Sequence, residues 1–94
     1  MMYNKEHLTI LSQGIAFWNN WREQNPEIIP NLSGVELIGE ILDEADLRQA
    51  NLRKVNLCQT KLQAANLEGA DLQGAILEDL PLQDLRPEVL SDKD

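Results

Sequence analysis

Residues that could take part in chemistry are few in this chain. The 94 residues include one histidine, His7, and one cysteine, Cys58. One residue of each kind cannot supply a zinc site built from several cysteines or histidines, or an intramolecular disulfide. The sequence also shows no nucleophile–base pair, no paired carboxylates in a pocket and no glycine-rich phosphate loop. We therefore expect no catalytic, cofactor-binding or metal-binding residues, and no enzyme activity.

The dominant pattern of the sequence is a leucine at every fifth position. The position two residues before each leucine is mostly small or apolar, as at Ala45 and Ala50, and the other three positions carry most of the polar residues. Residues 30–84 therefore consist of repeated five-residue blocks. The repeated leucines are Leu32, Leu37, Leu42, Leu47, Leu52, Leu57, Leu62, Leu67, Leu72, Leu77 and Leu82.

A five-residue period fits neither a straight α-helix nor a flat strand. Five residues advance a helix by about 500°, which would scatter the leucines around its surface. In a strand, an odd step would alternate them between the two faces. The period suits a chain that turns about a right angle after each block, so that every leucine points to one axis. Four blocks then close a coil of twenty residues, and coils stack at about 4.8 Å.

The blocks ADLRQ, ANLRK, ANLEG and ADLQG match the motif A(D/N)LXX, and the chain resembles the pentapeptide-repeat proteins. The resemblance covers eleven blocks, residues 30–84. It implies an all-β solenoid, a right-handed quadrilateral β-helix of about 2.75 coils, with the leucine and the residue two before it facing inward. The inward pair also follows from the leucine spacing, whereas the handedness comes from the family alone. Such a shaft is about 13 Å tall at one β spacing per coil.

Two polar residues, Glu40 and Thr60, occupy inward positions on one side of the coil. They are twenty residues apart and should stack. A hydrogen bond from the Thr60 hydroxyl to the Glu40 carboxylate would form a small polar site. The alternative is a local distortion that turns Glu40 into solvent. Cys58 faces outward in a column with Ile38 and Glu78, and we expect a free surface thiol because no base lies beside it.

Charge is layered along the coils of this acidic chain. The net charge is −8, which disfavours nucleic acid and membrane surfaces as direct partners. The coil formed by residues 30–49 has a net charge of −4, that of 50–69 has +2, and residues 70–84 have −4. We interpret the basic band as a source of ion pairs between coils rather than as a phosphate site. Its residues are Arg48, Arg53, Lys54 and Lys61.

Residues 4–22 predict one amphipathic helix that begins at Asn4 as its N-cap. Gly14 lies near the centre of the apolar face, which suggests a close approach to another backbone. We expect residues 1–29 to form a cap and linker that covers the open end of the first coil. The alternative is that Trp18 and Trp21 bind a partner or a membrane interface. The apolar face comprises Leu8, Ile10, Leu11, Ile15, Phe17, Trp18 and Trp21.

The leucine period ends after Leu82, and residues 85–94 form a separate lid or tail. Pro87 could start a single helical turn there. Leu85, Val89 and Leu90 either cover the last coil or leave it open for end-to-end stacking. In the second case they are the interface for self-association or for another pentapeptide module.

The functional hypothesis from the sequence is a non-catalytic scaffold or protein-interaction module in the cytoplasm. Its partner is a protein that the sequence does not identify. We expect the cytoplasm because residues 1–18 contain no continuous apolar segment. The alternative is a DNA mimic that inhibits or modulates a type II topoisomerase (DNA gyrase), as some members of the family do. Against that alternative, the shaft spans only about four base-pair rises and its middle coil is basic.

Overall fold

Residues 2–80 are described by a computed structural model, and they comprise two helices followed by a coiled chain. Helix α1 is Lys5–Ser12 and helix α2 is Ile15–Gln24. From residue 31 onward the coil contains single-residue β-bridges, with no continuous strand up to residue 80. This follows from the block length, because a turn occupies two of every five residues. Leu82 and the predicted lid residues Leu85, Val89 and Leu90 lie outside the described residues.

Bridges join residues that are twenty apart in the sequence. All six bridges within residues 2–80 are parallel, so the chain returns to the same side of the coil after four blocks. Each bridging residue occupies the position just before the leucine of its block. The pairs are Asn31 with Asn51, Glu36 with Asn56, Ile41 with Lys61, Asp46 with Asn66, Asn51 with Asp71 and Asn56 with Ile76.

Backbone hydrogen bonds connect successive coils through the same positions in every block. The N–H of Leu32 donates to the carbonyl of Asn51 at 2.9 Å, and the N–H of Asn51 donates to the carbonyl of Pro30 at 2.8 Å. Each corner is closed by a bond across four residues, as from the Val35 N–H to the Leu32 carbonyl at 3.1 Å. The last residue of each block has a left-handed backbone, even where it is not glycine, as at Gln49 with φ 59°. This corner geometry makes each block change direction.

The core of the coil is a stack of inward leucines and small residues. All nine repeat leucines from Leu32 to Leu72 are buried, five of them completely, whereas Leu77 in the last described coil is half-buried. Burial of each such leucine contributes about 1.5–3 kcal/mol before the entropy of ordering is subtracted. Small residues two positions earlier complete the core: Val35, Ala45, Ala50, Val55, Ala65 and Ala70 are buried.

The two polar inward residues do not bond to one another. The Thr60 side chain is fully buried, and its hydroxyl donates to the Leu37 carbonyl at 2.7 Å. Glu40 is exposed, while its backbone still joins the coil through its carbonyl, which accepts from the Lys61 N–H at 2.9 Å. Of the two arrangements considered from the sequence, the Thr60–Glu40 hydrogen bond does not form, and Glu40 lies in solvent. A backbone carbonyl satisfies the hydroxyl without the desolvation of a carboxylate.

The single helix predicted over residues 4–22 is also wrong, because the chain breaks at Gly14. Asn4 is confirmed as the N-cap of α1, and its side chain accepts from the N–H groups of Glu6 at 2.8 Å and His7 at 3.2 Å. Gly14 has φ 110° and ψ 160°, a conformation that is essentially restricted to glycine. A Cβ atom at Gly14 would meet nothing within 4 Å, so the predicted close approach to another backbone does not occur.

The break changes which residues of the second helix are buried. Since α2 starts again at Ile15, its inner face follows Ile15, Trp18 and Arg22. Phe17, which the single-helix prediction placed on the apolar face, is 49% exposed. Arg22, which that prediction left outside the face, is buried with 7% exposure.

A pair of substitutions tests the assignment of the Thr60 hydrogen bond. T60V keeps the shape of the side chain but removes its hydroxyl, so we expect the free energy of unfolding to fall by about 1 kcal/mol. E40Q removes a solvent-exposed carboxylate and should change it by less than about 0.5 kcal/mol. Urea denaturation of both variants measures the difference. If E40Q lowered the free energy of unfolding as much as T60V does, the result would instead support a hydrogen bond between Glu40 and Thr60.

Candidate interaction surface at the first coil

The first coil, residues 30–49, is the place where the ladder of backbone hydrogen bonds ends. In the second coil the N–H of each bridging residue donates to the coil before it, as from Asn56 to the Val35 carbonyl at 3.0 Å. No earlier coil exists for the first one, so its four sides need other partners. The bridging residues at these sides are Asn31, Glu36, Ile41 and Asp46.

The side at Asn31 is closed by the start of α1. The Asn4 N–H donates to the Asn31 carbonyl at 3.0 Å, and the Asn31 N–H donates to Nδ1 of His7 at 3.0 Å. His7 is buried, and its ring centroid lies 5.0 Å from that of Trp21. Because Nδ1 accepts this bond, the neutral His7 carries its proton on Nε2. Burial lowers the pKa of His7, and the nearby Glu6 carboxylate opposes that change.

The side at Asp46 is closed by three side chains of α2. Oδ1 of Asn19 accepts from the Asp46 N–H at 2.8 Å. The Asp46 carbonyl accepts from Nε1 of Trp18 at 2.8 Å and from Nη1 of Arg22 at 2.7 Å. A second bond runs from Nη2 of Arg22 to the Arg48 carbonyl at 2.9 Å. These side chains replace the missing coil with the donors and acceptor that it would have supplied.

Arg22 also carries a positive charge into this contact. Its Nη1 lies 3.7 Å from Oδ1 of Asp46, whose carboxylate is bonded on both oxygens by Arg48 at 2.9 Å. The Arg48 side chain is the main cause of the lowered pKa of Asp46, with a smaller contribution from the Arg22 charge. Burial lowers the pKa of Arg22, and the Asp46 carboxylate offsets part of that change. Nε of Arg22 is buried without a hydrogen-bond partner among residues 2–80.

The sides at Glu36 and Ile41 are left open by the described part of the chain. Within residues 2–80 neither the N–H nor the carbonyl of Glu36 or Ile41 forms a hydrogen bond. A cleft of about 230 Å³ separates these two sides from the helices. Leucine and isoleucine make up six of its ten lining residues, which are Leu8, Leu11, Ser12, Gly14, Ile15, Glu36, Leu37, Glu40, Ile41 and Leu42.

The predicted cap residues fall into three groups by burial. Leu11 and Trp18 are buried in the main core, Leu8, Ile15 and Trp21 are half-buried against it, and Gly14 is exposed. Sequence reasoning missed His7, Asn19 and Arg22, the polar groups that bond to the coil. The available signal was their spacing, since His7 lies four residues before Leu11 and Arg22 lies four residues after Trp18.

The charged band and the thiol have modest structural roles. Arg53 forms an ion pair with Asp71 of the next coil, as the layered charges predicted. Arg48 instead pairs with Asp46 inside its own block. Cys58 is half-buried and is not in a disulfide. Among residues 2–80 no group of histidine, cysteine and carboxylate side chains could hold a metal ion. Neither α1 nor α2 has the length and hydropathy needed to cross a bilayer.

Acidification should weaken the contact at Asn31. A protonated Nδ1 cannot accept the Asn31 N–H, and the lowered pKa of His7 means that the unfolded chain binds this proton more tightly. The free energy of unfolding should therefore fall as the pH drops below about 6.5, by at most about 1.4 kcal/mol per pH unit. Urea denaturation between pH 7.5 and pH 5.5 measures this loss. H7Q keeps an acceptor without titrating, so an equal loss in H7Q would contradict the assignment.

Substitution of Arg22 should cost far more stability than substitution of Arg53. R22K keeps the charge but cannot bond both the Asp46 and Arg48 carbonyls, so we expect a loss on the order of 2 kcal/mol. R53K alters an exposed ion pair and should cost less than about 1 kcal/mol. Thermal or urea denaturation compares the two variants. Equal losses would show that the forked contact of Arg22 contributes no more than a surface pair.

Comparison with known families identifies the repeated blocks. A family model described as pentapeptide repeats matches residues 41–79 in eight copies. No curated protein and no solved structure matches the chain. The matched segment lies within the blocks that carry the bridges and the inward leucines, and it supports the resemblance predicted from the motif A(D/N)LXX. Residues 41–79 therefore consist of pentapeptide repeats.

Proposed function

We propose that this chain is a non-catalytic scaffold that binds another protein through the surface of a right-handed quadrilateral β-helix. The observation that carries the proposal is the first coil, where two sides are closed by α1 and α2 and two sides meet an apolar cleft. A backbone edge next to apolar side chains is a common means of protein recognition.

The quadrilateral architecture is supported by the bridges between residues twenty apart. Four blocks per coil require four sides, and the family resemblance supplies the right hand. Under this proposal residues 1–29 are the cap and linker, 30–84 the repeats and 85–94 the C-terminal segment. End-to-end association through Leu85, Val89 and Leu90 stays a prediction, as does a cytoplasmic location.

The absence of catalysis is proposed from what the two reactive side chains do. Nδ1 of His7 is engaged by the backbone N–H of Asn31, which makes the ring part of the cap. Cys58 lies on the side of the coil at residue 56, and its N–H donates to Oδ1 of Asn56 at 3.0 Å. The His7 ring thus has a structural role, whereas the hydrogen bond at Cys58 is made by its backbone and not by its thiol.

The DNA-mimic alternative has weaker support. A mimic of duplex DNA needs a continuous negative surface, but Arg53, Lys54 and Lys61 are exposed on the middle coil. Of these three bases, Arg53 alone has an ion-pair partner among residues 2–80, which is Asp71. A supercoiling assay with purified gyrase tests this alternative, and we expect no inhibition at micromolar protein.

Affinity capture from a native lysate tests the scaffold proposal. The immobilised chain should retain the same protein in repeated experiments, and the complex should reform from purified components. L52D is the matched control, because a charge in place of a fully buried leucine should unfold the coil. Absence of any reproducible partner at low and physiological salt would contradict the proposal. Turnover of a substrate by the purified chain would contradict its non-catalytic part.

A further inference from the structure

We infer that the open edge at Glu36 and Ile41 binds an extended, basic segment of the partner protein, with one apolar side chain of that segment in the adjacent cleft. This inference rests on the proposed scaffold function and adds the place of binding and the chemistry of the ligand. It is argued from three properties of the edge: its backbone groups, its apolar lining and its charge.

The backbone groups at Glu36 and Ile41 match those that are bonded elsewhere in the first coil. At Asn31 and Asp46 the N–H donates to a side chain of the cap. The Asn31 carbonyl accepts from the backbone N–H of Asn4, and the Asp46 carbonyl accepts from the side chain of Trp18. At Glu36 and Ile41 residues 2–80 supply neither partner. An extended segment carries both donors and acceptors on its main chain, so it can satisfy these groups as an added strand does at a sheet edge.

The neighbouring side shows that this edge accepts an extended backbone. Asn4 has φ −86° and ψ 121°, which is extended, and its N–H donates to the Asn31 carbonyl at 3.0 Å. The chain thus supplies at Asn31 the same kind of contact that we infer for a partner at Glu36. Beyond Asn4 the chain enters α1, whose residues line the cleft beside Glu36 and Ile41 without bonding to the backbone there.

The cleft beside the edge selects for an apolar side chain. Leu8, Leu11 and Ile15 of the helices form one wall, and Leu37 and Ile41 of the coil form the other. Ile41 is 63% exposed, so its side chain is available to a ligand. Filling the cleft would remove apolar surface from water, which favours binding.

The charge of the cleft selects for a basic partner and against a second copy of this chain. Glu36 and Glu40 contribute to the lining, which contains no lysine or arginine. Neither carboxylate forms an ion pair with another residue in 2–80. A second copy would bring a further net charge of −8, which opposes association. Lysine or arginine next to the apolar residue would complement Glu36 and Glu40 instead.

Selection from a phage-displayed library of random peptides on the immobilised full chain tests the inference. Enriched peptides should combine an apolar residue with neighbouring lysine or arginine. I41D should weaken binding of an enriched synthetic peptide by at least about tenfold in fluorescence anisotropy. I76D is the matched control, because Ile76 holds the same block position as Ile41, is also exposed, and lies two coils from Glu36. It should bind like the wild type.

Amide chemical shifts locate the contact independently of these variants. Saturating peptide should shift the N–H signals of Glu36 and Ile41 more than those of Asn31 and Asp46. The inference is overturned if enriched peptides are acidic, bind I41D normally or shift only other amides. It is also overturned if the Glu36 and Ile41 signals move with protein concentration alone, because a second copy would then occupy the edge. Movement of these signals on deletion of residues 81–94 would overturn it too, because those residues would then occupy the edge. A partner captured from lysate that binds I41D normally would refute this edge and leave the scaffold function intact.

Discussion

The structure depends on a hydrogen-bond ladder that each coil completes only with the help of its neighbour. The Leu32 N–H bonds forward to Asn51, and the Asn51 N–H bonds back to Pro30. The backbone of a coil inside the stack therefore bonds to the coil before it and to the coil after it, whereas the first coil has only the coil after it. Leucine burial drives the coils together, but it cannot supply partners for buried polar backbone. The N-terminal helices have to cover an apolar cross-section and also bond to the first coil's exposed backbone.

Two short helices meet this requirement on half of the coil. Helix α1 brings Asn4 and His7 to the side at Asn31, and α2 brings Trp18, Asn19 and Arg22 to the side at Asp46. The break at Gly14 allows the two helices to contact different sides of the coil. The same arrangement leaves Glu36 and Ile41 beside a cleft, so the incomplete cover and the inferred binding edge have one origin.

The repeat was predictable because every block obeys the same rule, whereas the cap was only partly so. Leucine spacing alone leads to inward side chains and a return after twenty residues, since no regular helix or strand can use that period. The single-helix prediction for residues 4–22 failed because it treated Gly14 as a helical residue. The φ of 110° at Gly14 interrupts the helix. Arg22 and Asn19 were missed because polar residues beside Trp18 suggest a solvent-exposed face. Their partners are backbone groups some twenty-five residues away, and side-chain periodicity carries no information about such bonds.

Residue-resolved amide hydrogen exchange of the full chain tests most directly whether the helices cover half of the first coil. The amides of Asn31 and Asp46 should exchange slowly, because His7 and Asn19 accept their hydrogen bonds. The amides of Glu36 and Ile41 should exchange at rates close to those of an unstructured chain. Equal protection of all four amides would contradict the account, because every side of the first coil would then be covered.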